Sequence, residues 1–276
     1  MNVVFWTGIK NQSLSTKYGG FDWMDYSKQS WQYWCDKNDV TLVTFEEPIS
    51  DITKHRANWQ KAIHCWDILD ERGIDADNVF LVDASSMIKW DAPNIFDTLE
   101  DGIYGVKDDI NMNWVVNSVE NYRKEFFNVD IDLDKYINAG VVFLHHESLR
   151  VYKILRDFYI QNKDILDNWN KGGGREQTLF NYMAQTNDFK INLLPSTWNQ
   201  LNIIKSELIQ HNWQVDQKVN DWSLCNPQEP LKCKADHDRT PWSMKYGYIT
   251  HFTGFPIEHR EMVMKYYWDL LGKNYE

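Results

Sequence analysis

The sequence predicts an α/β domain whose central sheet is mostly parallel and flanked by helices. Apolar residues fill Val79–Val82 and Val141–Leu144 without alternation, which is typical of strands buried on both faces. Segments with helical periodicity, such as Thr53–Glu71, lie between the strands of the first half. Strands that alternate with helices favour parallel pairing, the architecture of many nucleotide-binding proteins.

The predicted strands are short, and several end at residues that disfavour a strand. The first is broken at Thr7-Gly8, the second ends before Pro48, and Pro195 closes a later one. The expected strands are, in order, Val3–Trp6, Thr41–Phe45, Val79–Val82, Gly102–Val106, Ile137–Leu144, Ile191–Leu194 and Tyr248–Phe252.

The predicted helices carry apolar residues at the spacing of one helix face. In the second helix Lys61 falls off this apolar stripe, so we expect it to face a ligand or solvent, and Gly73 supplies the stop. The expected helices are Gly20–Lys37, Thr53–Glu71, a short one through Phe96, Val115–Phe126, Glu147–Asn162, Arg175–Gln185 and Glu258–Leu271.

Length and composition indicate one globular domain. The chain has 276 residues, of which 43% are hydrophobic, so it can bury a sizeable core. We find no repeat, linker or low-complexity segment and predict a single domain over 1–276. The stretch at about 205–247 lacks clear periodicity and is expected to form an excursion from that domain.

Charge and cysteine usage exclude several classes of protein. The net charge is −11 and no basic run exceeds two residues, which disfavours a nucleic-acid partner. No window approaches a membrane span, and MNVVFWTGIK reads as a first strand rather than a signal peptide, so we expect a soluble, cytoplasmic protein. Four cysteines are too few for a disulfide framework. The spacing of Cys225, Cys233 and His237 matches no closed structural zinc site.

The strongest candidate for a functional site is the end of the central strand. Asp83 follows the apolar run and precedes the small residues Ala84, Ser85 and Ser86. Ligands of open α/β sheets sit at the carboxyl ends of strands. A carboxylate there, followed by small side chains, leaves room for a cation and for the anionic ligand that the cation binds. The alternative is that Asp83 only caps a turn.

The usual phosphate-binding loops are missing from the sequence. There is neither a G-x-x-x-x-G-K-S/T motif nor a G-x-G-x-x-G motif after the first strand. A nucleotide would therefore need other neutralising groups, and a metal held by Asp83 with help from Lys61 is one solution. Glycines 172–174 precede the helix that begins at Arg175, and free amides at such a helix start suit an anion or a sugar hydroxyl; a plain surface loop is the alternative.

Six segments, in order between Val3 and Gly254, resemble the retaining GT-A glycosyltransferases, the family of glycogenin and the bacterial lipopolysaccharide galactosyltransferases. The resemblance predicts a GT-A (Rossmann-like) nucleotide-sugar-binding fold. Each segment alone is a weak signal, and it is their order that favours the family. They are the helix segment Lys61–Trp66, VFLVDASSMIKWDAPNIFD, Asn138-Ala139-Gly140-Val141, Gly174-Arg175-Glu176-Gln177, Leu194-Pro195 with Trp198-Asn199, and His251-Phe252-x-Gly254.

The resemblance implies transfer of a hexose from a nucleoside-diphosphate sugar, usually a UDP-sugar, to a carbohydrate or other hydroxyl acceptor, with retention and with Mn²⁺ or Mg²⁺ on the diphosphate. It assigns metal binding to Asp83 and His251, with Ser85 at the position of the family's second acid. Reaction at the sugar is assigned to Glu176, Gln177 and Asn138. Donor binding is assigned to Thr7, Gly8, Lys61, Ser85, Ala139, Gly140 and Gly254.

Departures from the family pattern leave other functions open. Ser85 is a neutral ligand where an acid is usual, Gly173 replaces another acid, and Ile257 replaces a lysine for which His259 or Arg260 could substitute. Activity without strong metal dependence therefore stays open. So do a nucleotide-sugar or glycan binder without turnover and a glycosyltransferase that acts on modified nucleic-acid bases.

The acceptor side is indicated by aromatic residues, because flat rings suit sugar stacking. Trp213, Trp222 and Trp242 form either an acceptor platform or a satellite hydrophobic cluster. His145-His146 marks a strand exit or contacts the acceptor. We also expect Asp83→Ala to abolish turnover while leaving the melting temperature nearly unchanged, because an acid at a strand end contributes little packing.

Overall fold

A computed structural model describes residues 1–10, 22–51, 57–169, 175–201, 246–254 and 257–275. The chain divides into two compact units that interleave along the sequence. Unit 1 comprises Met1–Asn11, Cys35–Asp83 and Asn94–Pro195, and unit 2 comprises Gln12–Trp34, Ala84–Pro93 and Ser196–Glu276. The single domain over 1–276 stays a prediction, and almost all of the excursion at 205–247 lies outside the described residues.

The strands fall close to the predicted positions, with one short addition after Asp83. They are β1 (Asn2–Thr7), β2 (Thr41–Phe45), β3 (Asn78–Asp83), β4 (Ser86–Ile88), β5 (Ile103–Lys107), β6 (Ile137–His145), β7 (Ile191–Leu193) and β8 (Ile249–His251).

Unit 1 is built on a six-stranded sheet with the order β2-β1-β3-β6-β5-β7. Strands β1 with β2, β1 with β3, and β5 with β7 pair in parallel, whereas β6 is antiparallel to both of its neighbours. Five of the six strands therefore run the same way, which confirms the mostly parallel sheet. Because β6 is reversed, it begins at the edge where β1, β3 and β5 end.

Most helices match the predictions with changes at their ends, but the helix expected through Phe96 is a 3₁₀ turn over Ile95–Asp97 and the short helix over Lys163–Asp167 was not predicted. The helices are α1 (Trp23–Asn38), α2 (Ala57–Glu71), α3 (Met112–Tyr122), α4 (Arg150–Gln161), α5 (Lys163–Asp167), α6 (Arg175–Thr186) and α7 (Ile257–Leu271). The helix expected at 115–126 begins earlier because the Asn111 side chain accepts a hydrogen bond from the Trp114 amide. It passes into a π-helical turn over Arg123–Phe127. The helix expected from Glu147 begins with a 3₁₀ turn over His146–Leu149.

The core of unit 1 explains why these elements form. Val79–Val82 are buried, and α2 packs its apolar face toward α4, with the rings of Trp59 and Tyr159 at 5.0 Å between centroids. Burial of each large apolar side chain contributes about 1.5–3 kcal/mol. Cys65 is buried in this core, and desolvation raises the pKa of its thiol to about 12, so it stays protonated.

Unit 2 contains the short antiparallel pair β4–β8, in which Ser86 lies opposite His251. Helix α1 supports this pair, because Ser27 Oγ and Trp31 Nε1 donate to the Ser86 carbonyl at 2.6 and 3.3 Å. Across the described ranges, every helix is too short or too polar to cross a membrane.

Candidate functional site

Four predicted site residues lie at one edge of the unit 1 sheet. Thr7 and Asp83 end β1 and β3 and are opposite each other in parallel register. Asn138-Ala139 lies near the beginning of β6, whose register pairs Val82 with Val141. The apolar runs stop at this edge, so the polar residues that flank them are brought together there.

Lys61 projects from α2 to the same edge. Its side chain is 1% exposed, and Nζ donates to Asp83 Oδ1 at 2.6 Å and to the Ala139 carbonyl at 2.9 Å. The expectation that Lys61 faces solvent is wrong, because the ammonium is buried and bound to a carboxylate, whereas its role toward a ligand stays a prediction. A long aliphatic stem can cross an apolar helix face and still present its charge at the far end.

The ion pair with Lys61 gives Asp83 a role in the stability of the fold. The Asp83 side chain is 33% exposed, whereas its partner Lys61 is not in contact with water. Removal of the carboxylate would leave a buried ammonium without its counter-charge, which is strongly destabilising. The structure therefore replaces the expectation that Asp83→Ala leaves the melting temperature nearly unchanged with the prediction that it lowers it.

Thr7 and Gly8 are placed differently from one another. The buried Thr7 hydroxyl has no hydrogen-bond partner among the described residues, although buried hydroxyls usually have one. The Gly8 amide, by contrast, donates to the Phe45 carbonyl at 3.0 Å. A Cβ on Gly8 would lie 2.0 Å from the Trp6 indole, so this glycine is required by the protein's own packing.

Gln177, Asn138 and Asp108 form a buried network beside the start of β6. The Gln177 Oε1 accepts from Asn138 Nδ2 and from the Ala139 amide, both at 3.1 Å, and its Nε2 donates to Asp108 Oδ2 at 2.9 Å. Asn138 Nδ2 also donates to Asp108 Oδ2, at 3.1 Å, and its Oδ1 accepts from the Gly140 amide at 3.0 Å.

Helix α6 is also hydrogen-bonded to β6 one turn farther along. Asn181, one turn after Gln177 on α6, accepts from the Ile137 amide at 2.8 Å and donates to the Ile137 carbonyl at 2.9 Å. The first residue of α6 is also held, because the Tyr122 hydroxyl donates to the Arg175 carbonyl at 2.9 Å. Helix α6 is thus fixed to β6 and α3 around the position of Glu176.

Glu176 stands outside this network. Its carboxylate accepts a hydrogen bond from Asn58 Nδ2 on α2. The pKa of Glu176 is raised to about 7, chiefly by desolvation; the charge of Asp83 also raises it, whereas Lys61 and Asn58 counteract part of the rise. A carboxyl group that titrates near neutral pH is typical of functional sites.

Unit 2 holds the other predicted metal ligands. Ser85 Oγ lies 3.1 Å from His251 Nε2, and Asn199 Oδ1 lies 3.0 Å from His251 Nδ1. An amide oxygen on Nδ1 favours the tautomer with the proton there, which leaves the Nε2 lone pair toward Ser85. The Phe252 amide donates to the Ser85 carbonyl at 2.7 Å, and Gly254 turns with a φ of 73°.

The residues present fit a divalent cation only weakly. His251 has the supported imidazole of a metal ligand, but its neighbour Ser85 is neutral and Asp83 is already paired with Lys61. Among the described residues, no group of three or more His, Cys, Asp or Glu side chains could hold an ion.

Several predicted residues are elsewhere or outside the described ranges. His145 pairs with Asp101 at 3.3 Å, and His146 Nδ1 lies 2.9 Å from the Ala76 carbonyl. Arg260 lies over the Trp23 ring, 5.0 Å from its centroid. Outside the described ranges, or without a described side chain, are Gly172, Gly173, Gly174, Trp213, Trp222, Cys225, Cys233, His237, Trp242, Ile257 and His259.

The sequence reasoning missed Asp108 and Asn58. Asp108 directly follows β5 as Asp83 ends β3, so the rule that identified Asp83 applied to it as well. Its signal in the sequence is weak, because the residues from 108 to 135 are polar and show no clear periodicity. Asn58 lies three residues before Lys61 on α2, on the same side of the helix, but no pattern in the sequence relates it to Glu176.

Comparison with known proteins gives a fold. No protein-family profile matches the sequence, and no protein of curated function matches it. A glycosyltransferase involved in the glycosylation of the major capsid of PBCV-1 aligns with a TM-score of 0.59 at 10% identity, over 96% of this chain and 100% of that chain. The galactosyltransferase LgtC, solved with donor and acceptor sugar analogs, aligns with a TM-score of 0.50 at 11% identity, over 99% and 96%.

A third structure, the bifunctional glycosyltransferase WbbM, aligns with a TM-score of 0.51 at 12% identity over 99% of this chain and 51% of that one. Likeness at such low identity establishes architecture. The chain therefore has the GT-A fold, as its sequence predicts.

Proposed function

We propose that this protein is a glycosyltransferase that moves a hexose from a nucleoside-diphosphate sugar, a UDP-hexose, to a hydroxyl acceptor. One observation carries the proposal: a GT-A sheet presents a buried ammonium, a strand-end carboxylate and Glu176 around the edge where such sheets bind ligands. The unpartnered Thr7 hydroxyl at this edge supports a polar ligand there.

The residues suit departure of a diphosphate from a sugar. Negative charge builds on the leaving phosphate, and fixed positive charge stabilises it most where water is excluded. Lys61 brings a buried ammonium to this edge, held by Asp83 and the Ala139 carbonyl, and because Asp83 balances its charge we propose that a bound cation supplies the remaining positive charge. Glu176 is proposed to lie by the sugar. Retention of configuration follows from the family resemblance alone and is part of the proposal.

Metal assistance is also proposed, with Asp83 and His251 as ligands and Ser85 as a weak third group. When bound, Mn²⁺ or Mg²⁺ would stabilise the diphosphate without a proton transfer. A carboxylate with an imidazole suits Mn²⁺ better than Mg²⁺. Since Asp83 is already neutralised by Lys61, we expect weak affinity and residual turnover without metal.

The test is release of UDP and sugar from UDP-glucose and UDP-galactose, with and without Mn²⁺. Turnover should fall at least about a hundredfold in Asp83→Asn, which keeps an oxygen for Lys61 but loses the carboxylate that is proposed to hold the cation. Asp134→Asn is the matched control, because Asp134 also bonds a lysine, Lys107 at 2.6 Å, but on the exposed surface. Its turnover should equal that of the wild type.

Two other outcomes would replace the proposal. UDP binding without sugar release under any metal would indicate a nucleotide-sugar or glycan binder, a function that the neutral Ser85 favours. Affinity for DNA that falls steeply with salt would indicate action on modified bases, which the net charge of −11 disfavours. The cytoplasmic location also stays a proposal.

The role of Ser85 can be tested separately. Ser85→Asp restores the family's second acid, so Mn²⁺ should bind more tightly in calorimetry, whereas Ser85→Ala should bind it no better than the wild type. Equal affinities in all three proteins would mean that Ser85 does not contact the ion.

A further inference from the structure

The side-chain amide of Gln177 is fully used inside the protein. A glutamine amide has two donor protons on nitrogen and two lone pairs on oxygen. The oxygen accepts from Asn138 Nδ2 and from the Ala139 amide. The nitrogen donates to Asp108 Oδ2 and, at 3.5 Å, more weakly to the Tyr136 hydroxyl. Contact between this amide and a sugar would have to displace one of these partners.

Asn138 is used to nearly the same extent. Both of its amide protons have acceptors, Gln177 Oε1 and Asp108 Oδ2, and its oxygen accepts from the Gly140 amide. Asp108, Asn138 and Gln177 are all buried. A polar group that loses its partner in such a place regains little from water, so opening the network is costly.

We infer that Asp108, Asn138 and Gln177 are positioning residues that fix the start of β6 against α6, and that Glu176 is the α6 side chain that meets the sugar. The inference rests on the proposed function. Of the three residues expected to act at the sugar, it keeps Glu176 there and makes Asn138 and Gln177 positioning residues. Glu176 qualifies because it takes no part in the network and, with one bond given from Asn58 of α2, its carboxylate keeps further lone pairs for a sugar hydroxyl.

Exchange of donors and acceptors between positions 108 and 177 tests this inference. Gln177→Glu loses the protons given to Asp108 and sets two carboxylates against each other, so kcat should fall about a hundredfold through misplacement of the strand. Asp108→Asn keeps an oxygen for both donors and should cost less. In the double variant the amide introduced at position 108 can donate to the carboxylate introduced at position 177, although Asn138 Nδ2 then loses the Oδ2 acceptor that it shares with Gln177, so the rescue is partial. The kcat should therefore recover at least about tenfold over Gln177→Glu, with little change in the KM for the UDP-hexose.

Glu176→Gln provides the control, because Asp108→Asn should not rescue it. If Gln177 itself reacts with the sugar, the defect of Gln177→Glu will be independent of residue 108. Additive effects in the double variant would therefore overturn the inference. So would rescue of Glu176→Gln by Asp108→Asn, since Glu176 would then belong to the network.

Thermal unfolding separates this inference from the proposed function. The melting temperature of Gln177→Glu should be lowered and should partly recover in the double variant with Asp108→Asn. That result holds whether or not the wild type turns over a sugar donor. Absence of turnover in the wild type would contradict the proposed function. Additive changes in melting temperature in the double variant would contradict the network.

Discussion

Two polar regions of unit 1 use their hydrogen-bonding groups in opposite ways. The closed network of Asp108, Asn138 and Gln177 satisfies its amides within the protein. The charged group of Lys61, Asp83 and Glu176 places two carboxylates and one ammonium at the strand ends, with Asp83 open to water. The first region has its hydrogen-bonding groups satisfied within the protein, whereas the second holds charged groups at the strand ends, where we propose that they meet the ligand.

The largest predicted effect comes from breaking the charged group, and it is asymmetric. Asp83→Ala leaves the buried Lys61 ammonium without its counter-charge and should lower the free energy of unfolding by about 3 kcal/mol. Lys61→Met leaves Asp83 in contact with water but removes the donor to the buried Ala139 carbonyl, so it should cost about 1–2 kcal/mol, less than Asp83→Ala. Denaturant unfolding of both variants measures the difference.

The double variant Asp83→Ala with Lys61→Met completes this cycle. It should be more stable than Asp83→Ala alone, because no unpaired ammonium remains. Equal losses in the two single variants would show that burial of Lys61 does not set the energy of the pair.

The second prediction concerns the pH dependence caused by Glu176. Its pKa is about 7 in the folded protein and near 4.5 when unfolded, so the folded state keeps a proton that the unfolded state releases between these values. Stability contributed by this group is therefore present below pH 4.5 and lost as the pH rises to about 7. At one pKa unit per 1.36 kcal/mol, the loss is up to about 3 kcal/mol.

Glu176→Gln removes that titration but can still accept a bond from Asn58. At pH 8 the variant should be more stable than the wild type by roughly 2–3 kcal/mol, and at pH 4.5 the two should be equal. Turnover should be lost at both pH values. Parallel stability curves of the two proteins would mean that the Glu176 carboxyl is well solvated.

The fold was predictable because apolar runs and helical spacing are local properties of the sequence. Asp83 was predictable too, since it ends such a run. The direction of β6 was not, because a continuous apolar run fits either direction, and it is this reversal that brings Asn138 to Asp83. Asp108 and Asn138 are 30 residues apart, so their bond depends on strand pairing rather than on a motif.

The smallest predicted effect concerns the attachment of α6 that lies outside both regions. Tyr122→Phe removes one hydrogen bond, from its hydroxyl to the Arg175 carbonyl, and keeps the ring contact with Trp169 at 4.8 Å. The loss of about 1 kcal/mol should lower the melting temperature by roughly 2–4 °C. Because Arg175 precedes Glu176, kcat should also fall.

Tyr182→Phe is the matched control, since the Tyr182 hydroxyl donates to the Val119 carbonyl at 3.0 Å farther along α6. It should lower the melting temperature by a similar amount and leave kcat unchanged. In the Tyr122→Phe background, the coupling between residues 108 and 177 should stay intact, because the network is held by β6 rather than by α3. A weakened coupling would mean that the helix start holds both regions, so that the closed network and the charged group are one structural unit.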